Sequence, residues 1–269
     1  MTKPLINQIK ELFQQQNYQE VSNLVNSYVS EIEDLKEKKE MFLLSAQSNY
    51  LLSKNKEALK DILKAKNIID KIESTSEDMI NLEIQRAKIL RRLGEKEESL
   101  NIYDKLLKEY EERLNEETKA VIFHNLANLY LEKGNFEQSK LLFEQAIEVD
   151  KKQNNEMGIA QSLAGLGGLF FYIGEFDKAI DYYKRSLKFR SKVKDQIGEA
   201  TLLFNLGSIY ANMLDEKNAI SYLSNAEKIF KKLEHNKGEN NVLKTKVRMY
   251  YSLKDYLSVV KNLQDLQHF

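Results

Sequence analysis

The sequence predicts an all-α fold, an α-α superhelix of about seven helix pairs, and three observations predict it. A motif recurs every 40 residues: Asn125-Leu126-Ala127-x-x-Tyr130, Gly165-Leu166-Gly167-x-x-Phe170, Asn205-Leu206-Gly207-x-x-Tyr210. A second echo follows each copy, Phe143-x-x-Ala146, Tyr183-x-x-Ser186 and Leu223-x-x-Ala226, with small residues Ser139, Ala179 and Ala219 four places earlier. The only proline is Pro4, so nothing in the interior forbids long helices.

The register assigns the elements in order. The first pair, near 2–38, carries Ile9-x-x-Leu12 with Tyr18, Val21, Val25 and Tyr28; the second, 39–78, carries Ala46 with Ala58, Ile62 and Ala65. Both are shifted by a residue or more, as terminal units are. The third pair, 80–118, holds Ala87-x-x-Leu90, Gly94, Ser99, Tyr103 and Leu106. Pairs four to six span 120–157, 160–197 and 200–237. The seventh, 240–269, holds Val247-x-x-Tyr250, Tyr256, Val259, Leu263 and Leu266. Within a pair, Ala127 or Gly167 faces Ser139 or Ala179, because only small side chains let two helix backbones come close. Ala146, Ser186 and Ala226 make room for the following pair. Gly134 and Gly174 end first helices, since glycine takes the left-handed cap conformation freely; Leu214 replaces it in the sixth pair, and a poorer cap is expected there. Polar segments at 73–78, 114–118, 153–156, 194–196 and 234–239 read as loops between pairs, and the charge run Lys36–Glu40 as a solvated helix end. The whole chain is expected to form a single superhelical domain.

Composition narrows the function. Forty-one basic residues balance 41 acidic ones, so no whole-molecule field draws in nucleic acid or an anionic membrane. No cysteine is present, which removes disulfides, thiolate nucleophiles and cysteine zinc sites. The N-terminus lacks the apolar core of a signal peptide, and no apolar run is long enough to span a bilayer. A cytoplasmic protein is expected.

The repeat pattern resembles the tetratricopeptide repeat over nearly the whole chain, strongest in pairs four to six. The usual repeat is shorter and often closes on proline. The 40-residue form is similar to the repeat regions of kinesin light chain and of Rap/PlcR/NprR-type bacterial peptide-sensing regulators. That resemblance implies a non-catalytic scaffold holding an extended peptide in a concave groove lined by first helices. Regulators of this kind usually carry an N-terminal DNA-binding module; here repeats begin within a few residues of Met1, so the alternative is a peptide-responsive sensor lacking its own DNA-binding domain.

Chemistry is otherwise sparse. His124, His235 and His268 are not at metal-ligand spacing, and no phosphate loop occurs; Gly165-Leu166-Gly167-Gly168 answers to helix packing. Serines appear without a partnered histidine. The basic run Lys184, Arg185, Lys188, Arg190, Lys192 and Lys194 reads as a solvated face beside Asp177, Asp181 and Asp195, not a nucleic-acid patch. No enzyme activity, cofactor or metal is expected.

The groove positions lie three and two before the close-contact Ala or Gly, and one, four and five after it. They give Ile84, Gln85, Lys88, Arg91 and Arg92; His124, Asn125, Asn128, Leu131 and Glu132; Ala164, Gly165, Gly168, Phe171 and Tyr172; Phe204, Asn205, Ser208, Ala211 and Asn212; Lys244, Thr245, Arg248, Tyr251 and Ser252. Asn125, Asn128, Asn205 and Asn212 form an amide stripe able to donate to and accept from a peptide backbone. The resemblance places Asn125 and Asn205 where relatives hold peptide backbones. Gly165 and Gly168 leave room beside Phe171 and Tyr172 for an apolar anchor. Lys88, Arg91, Arg92 and Arg248 suit a carboxylate; His124, Ser208, Lys244 and Tyr251 complete the lining. The apolar C-terminal pair (Tyr250, Tyr251, Tyr256, Leu257) could meet a second copy of the chain.

Overall fold

The computed structural model describes residues 2–72 and 75–266, with side chains from residue 4 onward. Among these residues the chain is helical without a strand, and it divides into two compact units, Met1–Asn115 and Glu116–Phe269. The first holds α1 (Thr2–Gln14), α2 (Tyr18–Tyr28), α3 (Leu35–Leu51), α4 (Asn55–Ile69), α5 (Ser76–Leu93) and α6 (Lys96–Glu109). The second holds α7 (Glu116–Glu132), α8 (Phe136–Lys152), α9 (Glu156–Tyr172), α10 (Phe176–Lys192), α11 (Gln196–Asn212), α12 (Glu216–Lys232), α13 (Asn236–Ser252) and α14 (Tyr256–Leu266). Fourteen helices in adjacent pairs make the seven pairs that the register predicts.

In residues 116–269 a helix begins every 20 residues, because the turn within a pair and the turn between pairs are the same turn. Gly134, Asn154, Gly174, Lys194, Leu214, Glu234 and Lys254 all have positive φ. After each, the next N–H bonds back five residues, as Asn135 does to the Tyr130 carbonyl, and the left-handed residue itself bonds back three. These are Schellman closures, which satisfy the last carbonyls of the helix. The residue that completes the closure also caps the next helix: Asn135, Asn155, Asp195, Asp215 and His235 each accept the backbone N–H three positions on. Leu214 forms this turn without glycine, at φ 57°. The bond pattern expected to weaken there is intact; the left-handed backbone of a residue with a Cβ carries a cost of about 1 kcal/mol.

Small residues set the spacing inside a pair. The Ser139 hydroxyl donates to the Ala127 carbonyl at 2.8 Å, and Ser99 repeats this on Ala87. A Cβ on Gly167 would fall 2.6 Å from the Tyr183 ring, and one on Gly207 would meet Leu223 at 2.7 Å. Ser186, a small residue expected to make room for the following pair, donates its hydroxyl to the Ala160 carbonyl of its own pair at 2.6 Å. Aromatic rings then fill the pair interface, with Phe170 stacked on Tyr182 and Tyr210 on Tyr222.

A second set of glycines, which the sequence reading did not single out, builds the joints between pairs. Gly158, Gly198 and Gly238 lie in the first turns of α9, α11 and α13; a Cβ there would collide with Asp150, Arg190 and Phe230 respectively. Each of these three reaches the cap residue five places on. Asp150 accepts from the Asn155 amide at 2.8 Å, Arg190 pairs with Asp195, and Phe230 stacks on His235. One geometry is thus filled by three chemistries.

Unit Met1–Asn115 follows a looser rule. Its pair boundaries are 3-10 turns at Val29–Glu31 and Glu111–Arg113 and a capping box between Thr75 and Asp78. Its core joins Ile9, Val21, Met41, Ala46, Ala58 and Ile62. In the second pair a polar network replaces interior hydrophobes: Asp61 is buried and accepts from Ser45 at 2.7 Å and Asn49 at 3.2 Å. The charged run Lys36–Glu40 is the start of α3, and Lys39 is not solvated but paired with Asp78 at 2.8 Å. That ammonium, hydrogen-bonded to Asp78, holds its carboxyl below the ordinary 3.8.

Candidate functional site

The first helices α7, α9, α11 and α13 carry the register positions assigned to the groove in residues 116–269, and these positions differ sharply in openness. Glu132, Tyr172, Asn212, Lys244, Arg248, Tyr251 and Ser252 are exposed; His124, Asn128, Leu131, Ala164, Gly165, Gly168, Phe171, Phe204, Asn205 and Ser208 are half-buried. Asn125 is not open surface: it is 7% exposed, and its amide donates to the Val121 carbonyl one turn back at 2.7 Å. Ala211 and Thr245 are buried too, as is Ile84 in the other unit. The amide stripe therefore presents Asn128, Asn205 and Asn212, with Asn125 beneath it. The Asn128 amide donates to the His124 carbonyl at 2.8 Å, and Ser208 donates to the Phe204 carbonyl at 2.8 Å.

The two glycines on α9 have different reasons to be there. A Cβ on Gly165 would lie 2.3 Å from the Phe143 ring, so Gly165 is a packing residue and its space is already filled. A Cβ on Gly168 would meet one atom within 4 Å, the Tyr183 hydroxyl oxygen at 3.6 Å. Of the two, Gly168 is the one that leaves a gap.

One histidine does meet a serine, contrary to the sequence expectation. His124 Nδ1 lies 3.2 Å from the Ser162 hydroxyl, and its Nε2 lies 3.1 Å from the Asn128 amide nitrogen. An amide N–H on Nε2 leaves the proton on Nδ1, so the ring donates to Ser162 and is not its base. Ser162 is fully buried, out of reach of a substrate. Thirty-eight residues separate the two in sequence; only the stacking of α7 beside α9 joins them.

In residues 1–115 the corresponding face carries Lys88, Arg91 and Arg92 on α5. The Arg92 guanidinium lies 3.6 Å from the centre of the Tyr50 ring and donates to the Tyr50 carbonyl at 2.8 Å. Burial and then the charge of Arg91 hold the Lys88 ammonium below the ordinary 10.5. A cleft of about 330 Å³ opens elsewhere in this unit, beside Lys66, Glu83, Arg86 and Glu98. Its charges are satisfied in a chain: Glu83 binds Lys66 at 2.5 Å and Arg86 at 3.0 Å, and Arg86 also binds Glu98.

The basic run on α10 is largely solvated: Lys184, Lys188 and Lys192 are exposed, and Arg185 pairs with Asp181 at 3.5 Å. Arg190 is the exception, drawn into the joint with Asp195. His235 caps α13, and His268 lies outside the described residues. Among the described residues no cluster of metal-ligating side chains forms, and no helix is long and apolar enough to cross a membrane.

Paired helices closed by small residues and a face of first helices with mixed amide, aromatic and basic side chains define a repeat protein of the tetratricopeptide class. The tetratricopeptide repeat model matches residues 78–152 and 158–232, more than half of the chain, and the chain belongs to that family. No curated protein matches it in sequence. Its fold is similar to that of NprR in complex with its cognate peptide NprX, at a TM-score of 0.77 and 14% identity, covering 97% of this chain and 77% of that one. A Rap protein complexed with competence and sporulation factor aligns at a TM-score of 0.76 and 16% identity, over 98% of this chain and 73% of that one. BtubC (BKLC) from P. vanneervenii, at 0.59 and 19%, covers 86% of this chain and 92% of its own. At these identities the likeness is one of fold. The tetratricopeptide fold is generally non-catalytic, although aspartyl phosphate phosphatase F from Bacillus subtilis also shares it, at a TM-score of 0.74 and 14% identity.

Proposed function

We propose that this protein is a non-catalytic peptide-binding scaffold that holds an extended segment along the first-helix face of residues 116–269. The observation that carries the reading is the half-open amide and aromatic lining of that face, Asn128, Asn205, Asn212, Phe171 and Tyr172, with Lys244 and Arg248 exposed on α13. Amides pair with peptide N–H and C=O irrespective of sequence, Asn128 through its carbonyl oxygen alone because His124 takes both its amide protons, and each such bond contributes about 0.5–1.5 kcal/mol. Several together with an apolar anchor approach the ~8 kcal/mol of a micromolar complex. Complexes of NprR with NprX and of Rap with competence and sporulation factor support a peptide as the ligand class. Lys88, Arg91 and Arg92 supply a cationic counterpart on the first-helix face of residues 1–115. Panning a displayed random heptapeptide library on the chain tests the reading. Selected peptides should lose about tenfold in affinity on Asn205→Ala at unchanged melting temperature; peptides indifferent to that change would sink it.

The same relatives favour a second reading, a peptide-responsive regulator, in which binding changes the helix-pair arrangement. Small-angle scattering with and without a selected peptide separates the two: a regulator compacts, a scaffold keeps its dimensions. We further propose that the C-terminal pair is where two copies meet. Tyr256, Val260 and Leu263 are exposed at helical spacing on α14, and Leu257 beside them is 87% exposed. The matching positions of Leu263 one and two pairs earlier, Leu223 and Tyr183, are buried.

A further inference from the structure

Tyr183 belongs to a second helix, α10, yet its hydroxyl reaches the first-helix face. Its ring lies under Gly167 and is held there by the close approach of α9 and α10. The residue is only 5% exposed. Beyond the ring, the hydroxyl ends beneath Gly168, where a side chain would otherwise cover it.

Two facts separate this hydroxyl from an ordinary buried tyrosine. It makes no hydrogen bond to any described residue, and it is not among the sealed polar atoms, so it keeps contact with solvent. A phenol enclosed by apolar groups normally finds a partner inside the protein. Tyr103, one register position in the third pair, does so: its hydroxyl lies 3.5 Å from the Ile84 carbonyl, and the residue above it is Lys88, not glycine. At the same position Phe143 and Leu223 have no hydroxyl at all. Burial pushes the Tyr183 phenol up to about 12, so at neutral pH it is a neutral donor.

We propose that Gly168 and Tyr183 form a hydrogen-bonding subsite in the floor of the peptide face, in which the phenol donates to a carbonyl or carboxylate oxygen of a segment lying across α9. An O–H···O bond requires the acceptor about 2.7 Å from the phenol oxygen. The gap at residue 168 is the route by which such an oxygen arrives, and the wall on either side is shaped by Ala164 and Phe171. The subsite rests on the peptide reading above and sharpens it: the ligand must offer an acceptor oxygen, with little bulk, at the point where it crosses α9.

The test uses heptapeptides selected from a random displayed library on the wild-type chain, then titrated by calorimetry into Tyr183→Phe, Gly168→Ala and Asn205→Ala. Because the hydroxyl has no partner among the described residues, Tyr183→Phe should melt at or slightly above the wild-type temperature while binding about three- to tenfold more weakly. Gly168→Ala should also keep or raise the melting temperature and weaken binding at least as much. If Asn205→Ala weakens binding but Tyr183→Phe and Gly168→Ala leave it unchanged, the subsite is wrong and the peptide face stands. If the wild-type chain enriches no peptide, or none of the three variants affects binding, the peptide face falls and the subsite with it.

Discussion

Gly165 and Gly168 are one helical turn apart on α9, and the same substitution should move stability in opposite directions. Replacing a mid-helix glycine by alanine gains about 1 kcal/mol in helix propensity. At Gly168 nothing opposes that gain, since the new methyl would stand 3.6 Å from the Tyr183 oxygen, an ordinary contact. At Gly165 the methyl would stand 2.3 Å from two carbons of the Phe143 ring. Phe143 is 0% exposed and its ring centre lies 5.6 Å from that of His124, so the ring cannot swing out into solvent. Overpacking of this kind costs about 1–3 kcal/mol. With an overlap this deep, the net effect at Gly165 is a loss of about 1–2 kcal/mol, and the two variants should differ by about 2–3 kcal/mol. At about 2–4 °C per kcal/mol for a body of this size, Gly168→Ala should melt higher by a few degrees and Gly165→Ala lower by about 2–8 °C. Thermal unfolding followed by circular dichroism reads this directly, and hydrogen exchange of the α9 amides reads it locally. Shifts of the same sign in both variants would refute the reasoning, because it would mean that Phe143 yields or that Gly168 is covered.

Two further outcomes follow from the charges and from α14. Burial raises the Asp150 carboxyl above its ordinary 3.8, and Glu117 adds to this against the opposing Asn155 bond. A raised folded value means a contribution to stability that is fully present below the unfolded value and lost as pH rises through the folded one. Asp150→Asn, which keeps an acceptor for Asn155, should therefore be the more stable protein at pH 7, with the advantage shrinking as pH falls toward 4 in a melting series. An advantage independent of pH would remove the charge as its cause. For α14, sedimentation velocity of the wild-type chain should show a dimer that Leu257→Asp with Val260→Asp converts to monomer at unchanged helix content; a monomeric wild type, or a dimer indifferent to the changes, ends the proposal of paired copies.

Much of the architecture was readable because spacing survives where identity does not. Ala127, Gly167 and Gly207 announce the close helix contact, and the 40-residue interval places every helix of residues 116–269 without appeal to tertiary detail. The joint glycines at 158, 198 and 238 keep the same interval. They are hard to see in the sequence because the residues they accommodate, Asp150, Arg190 and Phe230, share a position but neither size nor chemistry. The site was harder. Register gave the helix face on which Asn125 lies but not its depth, which depends on how far the neighbouring helix leans over it. The contact of His124 with Ser162 and the reach of Tyr183 through the Gly168 gap are properties of two helices at once, and no single-helix pattern encodes them. Asn49 and Asp61, polar where later pairs stack rings, likewise need both helices to be seen as partners.

The shared turn has a hereditary consequence. Asn155 closes α8 and caps α9, while Asp195 closes α10 and caps α11 by the same bonds. If residues 156–195 were lost in frame, Asn155 would run directly into Gln196, and Gly198 would arrive over Asp150 where Gly158 had been. The splice would need no new loop and no new cap. Recombination between such copies can therefore shorten or extend the chain one helix pair at a time, so the span of the face offered to a ligand is a quantity that gene duplication can set in whole steps.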